Sequence, residues 1–446
     1  MDRKEYKPKY FVQPKDVIDE ISKHQIGDGM RLVLDNDNSS GKLYDLITNN
    51  EYYDFFTCFA SLPLGYNHPK MISDKFIEFI GKNAINKPSN SDLYSSVQAT
   101  FTKTLFKVAV PGNDFKYSFY IEGGALAVEN AIKTAIDWKV KKNIKKGLSE
   151  NIGTKVLHFK EAFHGRSGYT LSITNTDPVK VRYFPKFDWP RVNNPKITFP
   201  LEEHLSEVIE DEKITISEIK KTFEDNENDI SCIIIEPIQG EGGDNHFRDE
   251  FFEKLRKICY EYEALLIFDE VQTGVGMTGK MWAYQHLTIK PDIICFGKKM
   301  QVCGILSNER IDEVEDNVFK KSSRINSTWG GNYTDMVRAT KYLEIIEEDN
   351  LVNNAAVMGE YLHEKLIQLG NNYPSIISNI RGKGLFRAFD ISPHVRNKFR
   401  ENCFMHNLII LSCGSKSIRF RTRLNITKSE IDKGISIIET AISELE

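Results

Sequence analysis

The sequence lacks the features that mark nucleic-acid-binding, membrane-spanning and secreted proteins. Its formal net charge is −4, from 59 Lys and Arg against 63 Asp and Glu, which gives no electrostatic basis for binding nucleic acid. No apolar run is long enough to span a bilayer, and the first residues, MDRKEYKPKYF, contain no apolar segment of the kind found in signal peptides. We therefore expect a cytoplasmic protein without membrane or nucleic-acid partners.

Cysteine is also scarce, and its arrangement carries no motif. The seven cysteines include no Cys-x-x-Cys pair, and no cluster of His, Cys and Asp has the spacing of metal ligands. Reduced, buried thiols and the absence of a metal site are expected. Hydrophobic residues make up 40% and charged residues 27%, as in an ordinary globular protein, and 446 residues predict one large domain with a smaller one.

Alternating apolar runs and helical patterns indicate the fold class. Five runs are interpreted as strands, at 117–121, 155–159, 231–238, 264–268 and 292–296. Their apolar residues do not alternate, which predicts burial on both faces, as in a parallel sheet. Helical spacing at 125–139 and 251–262 separates some of them. The pattern predicts a doubly wound α/β domain with a mostly parallel sheet.

A change of pattern near residue 335 predicts a second, smaller α+β domain. Further strands follow a helix-rich stretch, and Thr427 to Glu430 has the pattern of a capping box that begins the last helix. The predicted division is an N-terminal segment, 1–65, that joins the small domain, a large domain at 66–334, and a small domain at 335–446.

Four features with possible chemistry stand where predicted strands end, the edge at which α/β proteins bind ligands. They are the turn Gly123-Gly124-Ala125, the carboxylate of Asp269, the pair Lys298-Lys299, and the loop containing Phe163, His164 and Arg166. Each alone has a plain alternative: a connecting turn, a helix cap or salt bridge, surface lysines, or core packing. Together they fit pyridoxal 5'-phosphate (PLP), which needs a lysine amine, an acid at its ring nitrogen, a phosphate cradle and ring contacts.

The motifs resemble those of class III aminotransferases, which are PLP enzymes of fold type I. The matching stretches are EGGALAVENA, AFHGRSG, EPIQGEGGDNHF, LIFDEVQTGVGMTGK, PDIICFGKK and STWGGNY. They occur in family order between about residues 54 and 425, and the 29 positions from Asp269 to Lys298 are the spacing that this family uses. The resemblance implies a homodimer with its sites at the dimer interface.

The resemblance also implies roles for individual residues. Lys298 would be the Schiff-base lysine and proton carrier, Asp269 the partner of the ring nitrogen, and Gly124 and Ala125 the phosphate contacts. Phe163 would lie against the ring with His164 close by, Gln272 would reach the ring hydroxyl or a substrate carboxylate, and Thr328 would contact the phosphate of the other subunit's cofactor. Lys299 and Glu270 would be neighbours without these roles.

Within the family, three stretches are most similar to L-lysine 6-aminotransferases: FTCFASLPLGYNHPKM, FDWPRVNNP and FGKKMQVCGI. That similarity implies ping-pong transfer of the terminal amine of L-lysine to 2-oxoglutarate, giving 2-aminoadipate 6-semialdehyde and L-glutamate. Aminotransferases acting on 4-aminobutyrate share several of the motifs, so that donor, or ornithine, is the alternative. A PLP aminomutase and a non-catalytic PLP-binding protein are further alternatives.

Two substrates with differently placed carboxylates require cationic clamps, and arginine suits them because it binds carboxylates bidentately. Arg166 is one candidate. The resemblance selects Arg419 as the other and implies that Glu241 pairs with Arg419 until the keto acid arrives. Arg423 and Arg421 are interpreted as a solvated face of an edge strand. Where relatives usually carry proline, this chain has Thr422-Arg423, an added charge that could alter the donor preference.

Overall fold

The computed structural model describes residues 6–445. Its strands are β1 (Lys42–Tyr44), β2 (Glu51–Asp54), β3 (Tyr117–Ile121), β4 (Lys155–Phe159), β5 (Arg191–Val192), β6 (Ile230–Ile235), β7 (Leu265–Asp269), β8 (Ile293–Phe296), β9 (Cys303–Ser307), β10 (Ile377–Lys383), β11 (Phe386–Ile391), β12 (Leu408–Ile409), β13 (Leu411–Cys413) and β14 (Ser417–Arg421). Its helices are α1 (Val17–Ser22), α2 (Thr57–Ala60), α3 (Asp74–Ala84), α4 (Ser96–Thr104), α5 (Gly124–Lys145), α6 (Gly168–Ile173), α7 (Pro178–Val181), α8 (Leu201–Asp225), α9 (Asp249–Glu261), α10 (Tyr333–Glu348), α11 (Leu351–Asn372), α12 (Pro393–Met405) and α13 (Lys428–Ser443). No helix in this part of the chain is both long and apolar enough to cross a membrane.

The large sheet has seven strands in the order β3-β9-β8-β7-β6-β4-β5. Only β9 runs against the others, since it pairs antiparallel with both β3 and β8. Every residue of β6, β7 and β8 is buried, as the unalternated apolar runs predict. The predicted α/β class is confirmed, and β3 and β4 coincide with the predicted strands at 117–121 and 155–159.

Two smaller sheets complete the fold. The first has four antiparallel strands in the order β10-β11-β14-β13, and the second joins β1 and β2 to β12. Because β12 pairs parallel with β2, the N-terminal segment and the C-terminal part of the chain share one sheet. The last helix begins with the predicted capping box between Thr427 and Glu430. The domain boundaries at residues 65 and 334 stay predictions.

The short helix α2 has an unusual backbone. Its four residues, Thr57, Cys58, Phe59 and Ala60, have φ angles of 40°, 52°, 59° and 63°, so the turn is left-handed. L-residues other than glycine pay about 1–2 kcal/mol each in this conformation. Hydrogen bonds hold the turn: Asp54 accepts from the Phe56 and Thr57 amides, and the Thr57 hydroxyl donates to the carbonyl of Arg421.

Candidate active site

A cavity of about 520 Å³ lies at the carboxyl edge of the large sheet. The predicted site residues that line it are Gly124, Ala125, Phe163, His164, Glu241, Asp269, Gln272 and Lys298. They follow β3, β4, β6, β7 and β8, strands that run in one direction and therefore end at the same edge. Segments far apart in sequence thus meet in one pocket.

The two adjacent lysines after β8 have different surroundings. Lys299 is buried, and its amine donates to the carbonyls of Gln272, at 2.7 Å, and Ala60, at 3.3 Å. Lys298 lines the pocket with a left-handed backbone, φ 48°. Burial, together with the charges of Arg419 and Arg421, lowers the pKa of Lys298 to about 8. Lys298 is therefore the lysine whose amine faces the cavity and is readily deprotonated.

The lowered pKa of Lys298 has a measurable consequence in the cofactor-free protein. Only a neutral amine attacks an aldehyde, so we expect the rate of PLP capture to rise about tenfold per pH unit below pH 8 and to level off above it. Stopped-flow absorbance between pH 6 and 10 measures this rate. A rate that keeps rising up to pH 10 would show that Lys298 has an ordinary lysine pKa.

Asp269, the last residue of β7, is held in a fixed orientation. Since a carboxylate accepts only, the Nδ1 of His164 donates to its Oδ2 at 2.8 Å, and the amide of Val271 donates to its Oδ1 at 3.1 Å. His164 is itself fixed, because its amide donates to the Thr174 hydroxyl at 2.9 Å. The His164 Nε2 is buried and has no partner. Asp269 thus presents an oriented carboxylate to the pocket.

Two further carboxylates near this edge, those of Glu270 and Glu236, accept hydrogen bonds from backbone amides. Glu270 accepts from the amides of Ala283 and Tyr284, each at 2.8 Å, as expected for a neighbour without a cofactor contact. Glu236 lines the pocket and accepts from the amides of Phe163, at 2.9 Å, and Gly240, at 3.0 Å. Burial raises the pKa of Glu236 to about 7. Glu236 therefore ties the Phe163 loop to the loop that contains Glu241.

The turn before α5 has the form of an anion cradle. No side chain caps the start of this 22-residue helix, so its first amides are free to bind a phosphate. Gly123 has a φ of 98°, which only glycine adopts without strain. A Cβ on Gly165 would lie 2.5 Å from the Cβ of Ala125, so glycine is required for this close approach. Small residues thus keep the helix start open to a ligand.

Arg419 and Glu241 form an ion pair beside the cavity. The Arg419 NH2 donates to Glu241 Oε2 at 2.9 Å, while the buried Nε and NH1 of Arg419 have no partner. The other oxygen of Glu241 accepts from Lys180 at 2.7 Å. Burial would raise the pKa of Glu241, but Arg419 and Lys180 hold it below its ordinary value. Arg419 is thus a partly unused carboxylate receptor covered by an acid.

The interpretation of Arg421 as a solvated edge residue is wrong. Its strand, β14, lies inside the four-stranded sheet, and its side chain is fully buried. The guanidinium donates to both oxygens of Asp244, and its Nε and NH2 donate to Gln272 Oε1 at 3.1 and 2.9 Å. Arg421 therefore orients Gln272, which lines the pocket. Spacing along a strand shows which residues share a face, but not whether another sheet or loop covers it.

Four other predicted residues are absent from the cavity lining: Arg419, which pairs with the lining residue Glu241, and Arg166, Thr328 and Arg423. Arg166 and Thr328 are exposed in this chain. The interpretation of Arg423 as a solvated edge residue is also wrong, because it lies beyond the end of β14 and its side chain is only 13% exposed. Arg423, which with Thr422 stands where proline was expected, donates to Gly41 O at 2.8 Å and to Glu430 at 2.6 Å. Because Glu430 balances its charge away from the pocket, Arg423 adds no cation to the site.

The donor set fits PLP. Around one cavity lie the amine of Lys298, the oriented carboxylate of Asp269, the free amides at the start of α5 and the ring of Phe163. These are the groups that PLP needs for its aldehyde, ring nitrogen, phosphate and ring face. No cluster of potential metal ligands occurs between residues 6 and 445. The site thus has the chemistry of a PLP-dependent enzyme.

Comparison with known proteins agrees with this chemistry and makes it more specific. The family model "Aminotransferase class-III" matches residues 27–442, and the chain belongs to this family. It is a PLP-dependent transaminase. The L-lysine-epsilon aminotransferase of Mycobacterium tuberculosis is 46% identical over 436 residues, 96% of each chain. A structure of M. tuberculosis lysine aminotransferase in the internal aldimine form superposes on this chain with a TM-score of 0.95. The two sequences are 44% identical, and the superposition covers 98% of this chain and 100% of the other.

A more distant relative acts as a reference for the donor question. The 4-aminobutyrate aminotransferase of Dictyostelium discoideum is 33% identical over 458 residues, covering 97% of this chain and 90% of its own length. The predicted family and fold are confirmed. The individual roles of the site residues stay predictions, and eight of those residues line one pocket.

Sequence reasoning missed several residues at this site. Glu236 stands in a quoted motif, EPIQGEGGDNHF, where its position at the end of β6 was a usable signal. Asp244 stands in the same motif, but its partner Arg421 lies 177 positions away, and Lys180 lies in none of the quoted motifs. The left-handed conformation of α2 could not be predicted either, because its residues include no glycine, the residue type that usually marks positive φ angles.

Proposed function

We propose that the protein transfers the terminal amino group of L-lysine to 2-oxoglutarate by a ping-pong mechanism, giving 2-aminoadipate 6-semialdehyde and L-glutamate. The carrying observation is Arg419, a buried guanidinium with two free nitrogens that Glu241 covers at the edge of the cavity. Such a covered receptor suits an enzyme that alternates between a donor without a carboxylate near the reacting amine and a keto acid with one. The higher identity to lysine aminotransferases than to the 4-aminobutyrate enzyme supports lysine as the donor.

Bound PLP supplies an electron sink that makes removal of a proton from the carbon bearing the amine feasible. Lys298 would anchor the cofactor and, with its pKa lowered to about 8, would take up the proton that leaves the substrate carbon bearing the amine. Asp269 holds a negative charge at the ring nitrogen, and His164 fixes the orientation of that carboxylate. Gly124 and Ala125 bind the phosphate through the start of α5.

The remaining predicted residues hold the ring and the substrates. Phe163 packs on the ring, and Gln272, oriented by Arg421, reaches the ring hydroxyl or a substrate carboxylate. Arg419 binds the keto-acid carboxylate that lies next to the reacting carbon, once Glu241 has moved. Arg166 binds the distant carboxylate of either substrate.

We also propose a cytoplasmic homodimer. Thr328 is exposed in its own chain, which supports a role at the phosphate of the partner's cofactor. A group of large apolar side chains is exposed on and near α3, as expected for a surface that meets a second copy: Ile72 at 48%, Ile77 at 49%, Phe79 at 51% and Ile85 at 79%. All seven cysteines are unpaired, which supports a reducing compartment.

A single-turnover donor series tests the proposed reaction. The PLP-loaded protein is mixed with lysine, ornithine, 4-aminobutyrate or glutamate, and the visible absorbance of the bound cofactor is followed. Lysine is expected to react with the highest second-order rate among the terminal amines, and mass spectrometry should detect the semialdehyde or its cyclic form. Faster reaction with 4-aminobutyrate or ornithine would assign the donor to the alternative class.

Removal of the Glu241 carboxylate should change the balance between substrates. In Glu241→Ala, Arg419 stays uncovered and buried when lysine binds, so we expect kcat/KM for lysine to fall about tenfold or more relative to kcat/KM for glutamate. Steady-state kinetics with both donors measures this ratio. An unchanged ratio would remove Glu241 from substrate discrimination.

A further inference from the structure

Lys180, on the short helix α7, contacts this site but has no role in the family resemblance or in the proposed function. Its amine donates to Glu241 Oε1 at 2.7 Å and to the Thr176 hydroxyl at 3.4 Å, and it lies 5.4 Å from the centre of the Phe163 ring. Only 16% of the side chain is exposed. Lys180 is therefore a fixed cation beside the loop residue that covers Arg419.

Glu241 bridges two cations through different oxygens. Its Oε2 accepts from a single nitrogen of Arg419 at 2.9 Å, and its Oε1 accepts from Lys180. A carboxylate arriving at Arg419 competes for only one of these two bonds. The contacts of Lys180 with the Thr176 hydroxyl and the Phe163 ring do not involve Arg419, so neither contact requires the pair between Glu241 and Arg419.

We propose that Lys180 is a specificity-determining residue that retains Glu241 after a dicarboxylate has displaced it from Arg419. This inference rests on the proposed function, since it assumes that a five-carbon dicarboxylic keto acid is the amino acceptor. With Arg419 covered, Glu241 shares its charge between two cations. When Arg419 binds the substrate, Lys180 is the remaining partner of the Glu241 carboxylate, which is largely buried. Because Glu241 keeps one cationic partner, separating it from Arg419 costs less free energy.

The predicted effect is therefore asymmetric between the two half-reactions. Loss of Lys180 removes the sole partner of Glu241 in the dicarboxylate complex, but only one of two partners while lysine is bound. In Lys180→Met we expect the KM for 2-oxoglutarate to rise about five- to tenfold and kcat/KM for lysine to stay within about twofold. A residue that only supports the local fold would change both half-reactions together.

A binding measurement tests the proposal without relying on turnover. Glutarate has the two carboxylates of 2-oxoglutarate but no carbonyl to react, and calorimetry on the PLP-loaded protein gives its dissociation constant. We expect Lys180→Met to weaken glutarate about five- to tenfold and Lys180→Arg to bind within about twofold of the unsubstituted protein. An unchanged dissociation constant in Lys180→Met would overturn the proposal.

A matched control and a double variant complete the experiment. Lys142 also pairs with a glutamate, Glu313, at 2.7 Å, is 19% exposed and lies 4.6 Å from an aromatic ring centre, but it is remote from the cavity lining. Lys142→Met should leave glutarate binding unchanged, and an equal loss there would overturn the proposal. In a Glu241→Ala background, Lys180→Met should have no further effect, whereas an undiminished effect would mean that Lys180 does not act through Glu241.

The outcomes separate this inference from the proposed function. If the donor series favours another terminal amine while glutarate binding still depends on Lys180 through Glu241, the proposal for Lys180 stands and the donor assignment fails. If lysine is the preferred donor but glutarate binding is indifferent to Lys180, the proposal for Lys180 fails and the donor assignment stands.

Discussion

Replacing Lys298 with alanine is expected to lower kcat by at least about 10⁴-fold, because one residue serves both as the covalent anchor of the cofactor and as the proton carrier. The geometry leaves no substitute nearby. The amine of Lys299 is occupied by the carbonyls of Gln272 and Ala60. Steady-state transamination of lysine with 2-oxoglutarate measures the loss.

The neighbouring lysine provides the matched control for Lys298. Lys299→Met leaves two buried carbonyls without a donor, so we expect it to cost about 1–3 kcal/mol in the free energy of unfolding while kcat falls less than about tenfold. Urea unfolding measures the first quantity. Borohydride reduction of the PLP-loaded protein, followed by tandem mass spectrometry, should place the adduct on Lys298. An adduct on Lys299 would reverse the assignment of the two lysines.

The second large effect is expected at Asp269. Asp269→Asn keeps the size of the side chain and an oxygen for the Val271 amide, at 3.1 Å in the native protein, but removes the charge. Without a carboxylate at the ring nitrogen, the cofactor withdraws electrons less strongly and the substrate proton that Lys298 removes is less acidic. We therefore expect kcat to fall about 10³-fold. The kinetics require a parallel count of bound cofactor, so that lost chemistry is distinguished from lost binding.

A second buried aspartate serves as the control for Asp269. Asp390, on β11, pairs with Arg381 at 2.8 Å in the four-stranded sheet and does not line the cavity. Asp390→Asn is expected to lower stability and leave kcat within about twofold, since its charge serves packing rather than chemistry. Equal losses of kcat in the two variants would mean that Asp269 acts through stability alone.

Sequence patterns identified the large sheet because strands that are buried on both faces have continuous apolar runs without alternation. The runs at 117–121 and 155–159 coincide with β3 and β4, and the chemistry-bearing residues follow strands whose direction could be inferred. The same reasoning placed Lys298 and Asp269 at one edge. Where a residue's position depends on the course of the chain just after a strand, as at these two sites, local pattern and topology suffice.

The parts of the site that were missed depend on contacts between distant segments. Arg421 was misjudged because a strand's spacing does not reveal that Asp244 and Gln272 cover its face. Lys180 lies 61 positions from Glu241, so no periodicity joins them. The conformation of α2 depends on Asp54 and on the carbonyl of Arg421, and its own residue types would favour ordinary backbone angles.

The left-handed α2 has a consequence for the order in which the protein matures during synthesis. The Thr57 hydroxyl bonds to Arg421 across 364 positions, and Lys299 bonds to Ala60 across 239. Such contacts close very long loops, so they form only after the intervening chain exists. Lys298 and Asp269 are synthesised before β14, the strand that carries Arg419 and Arg421. The contact between α2 and β14 therefore forms only after residue 421 has been synthesised.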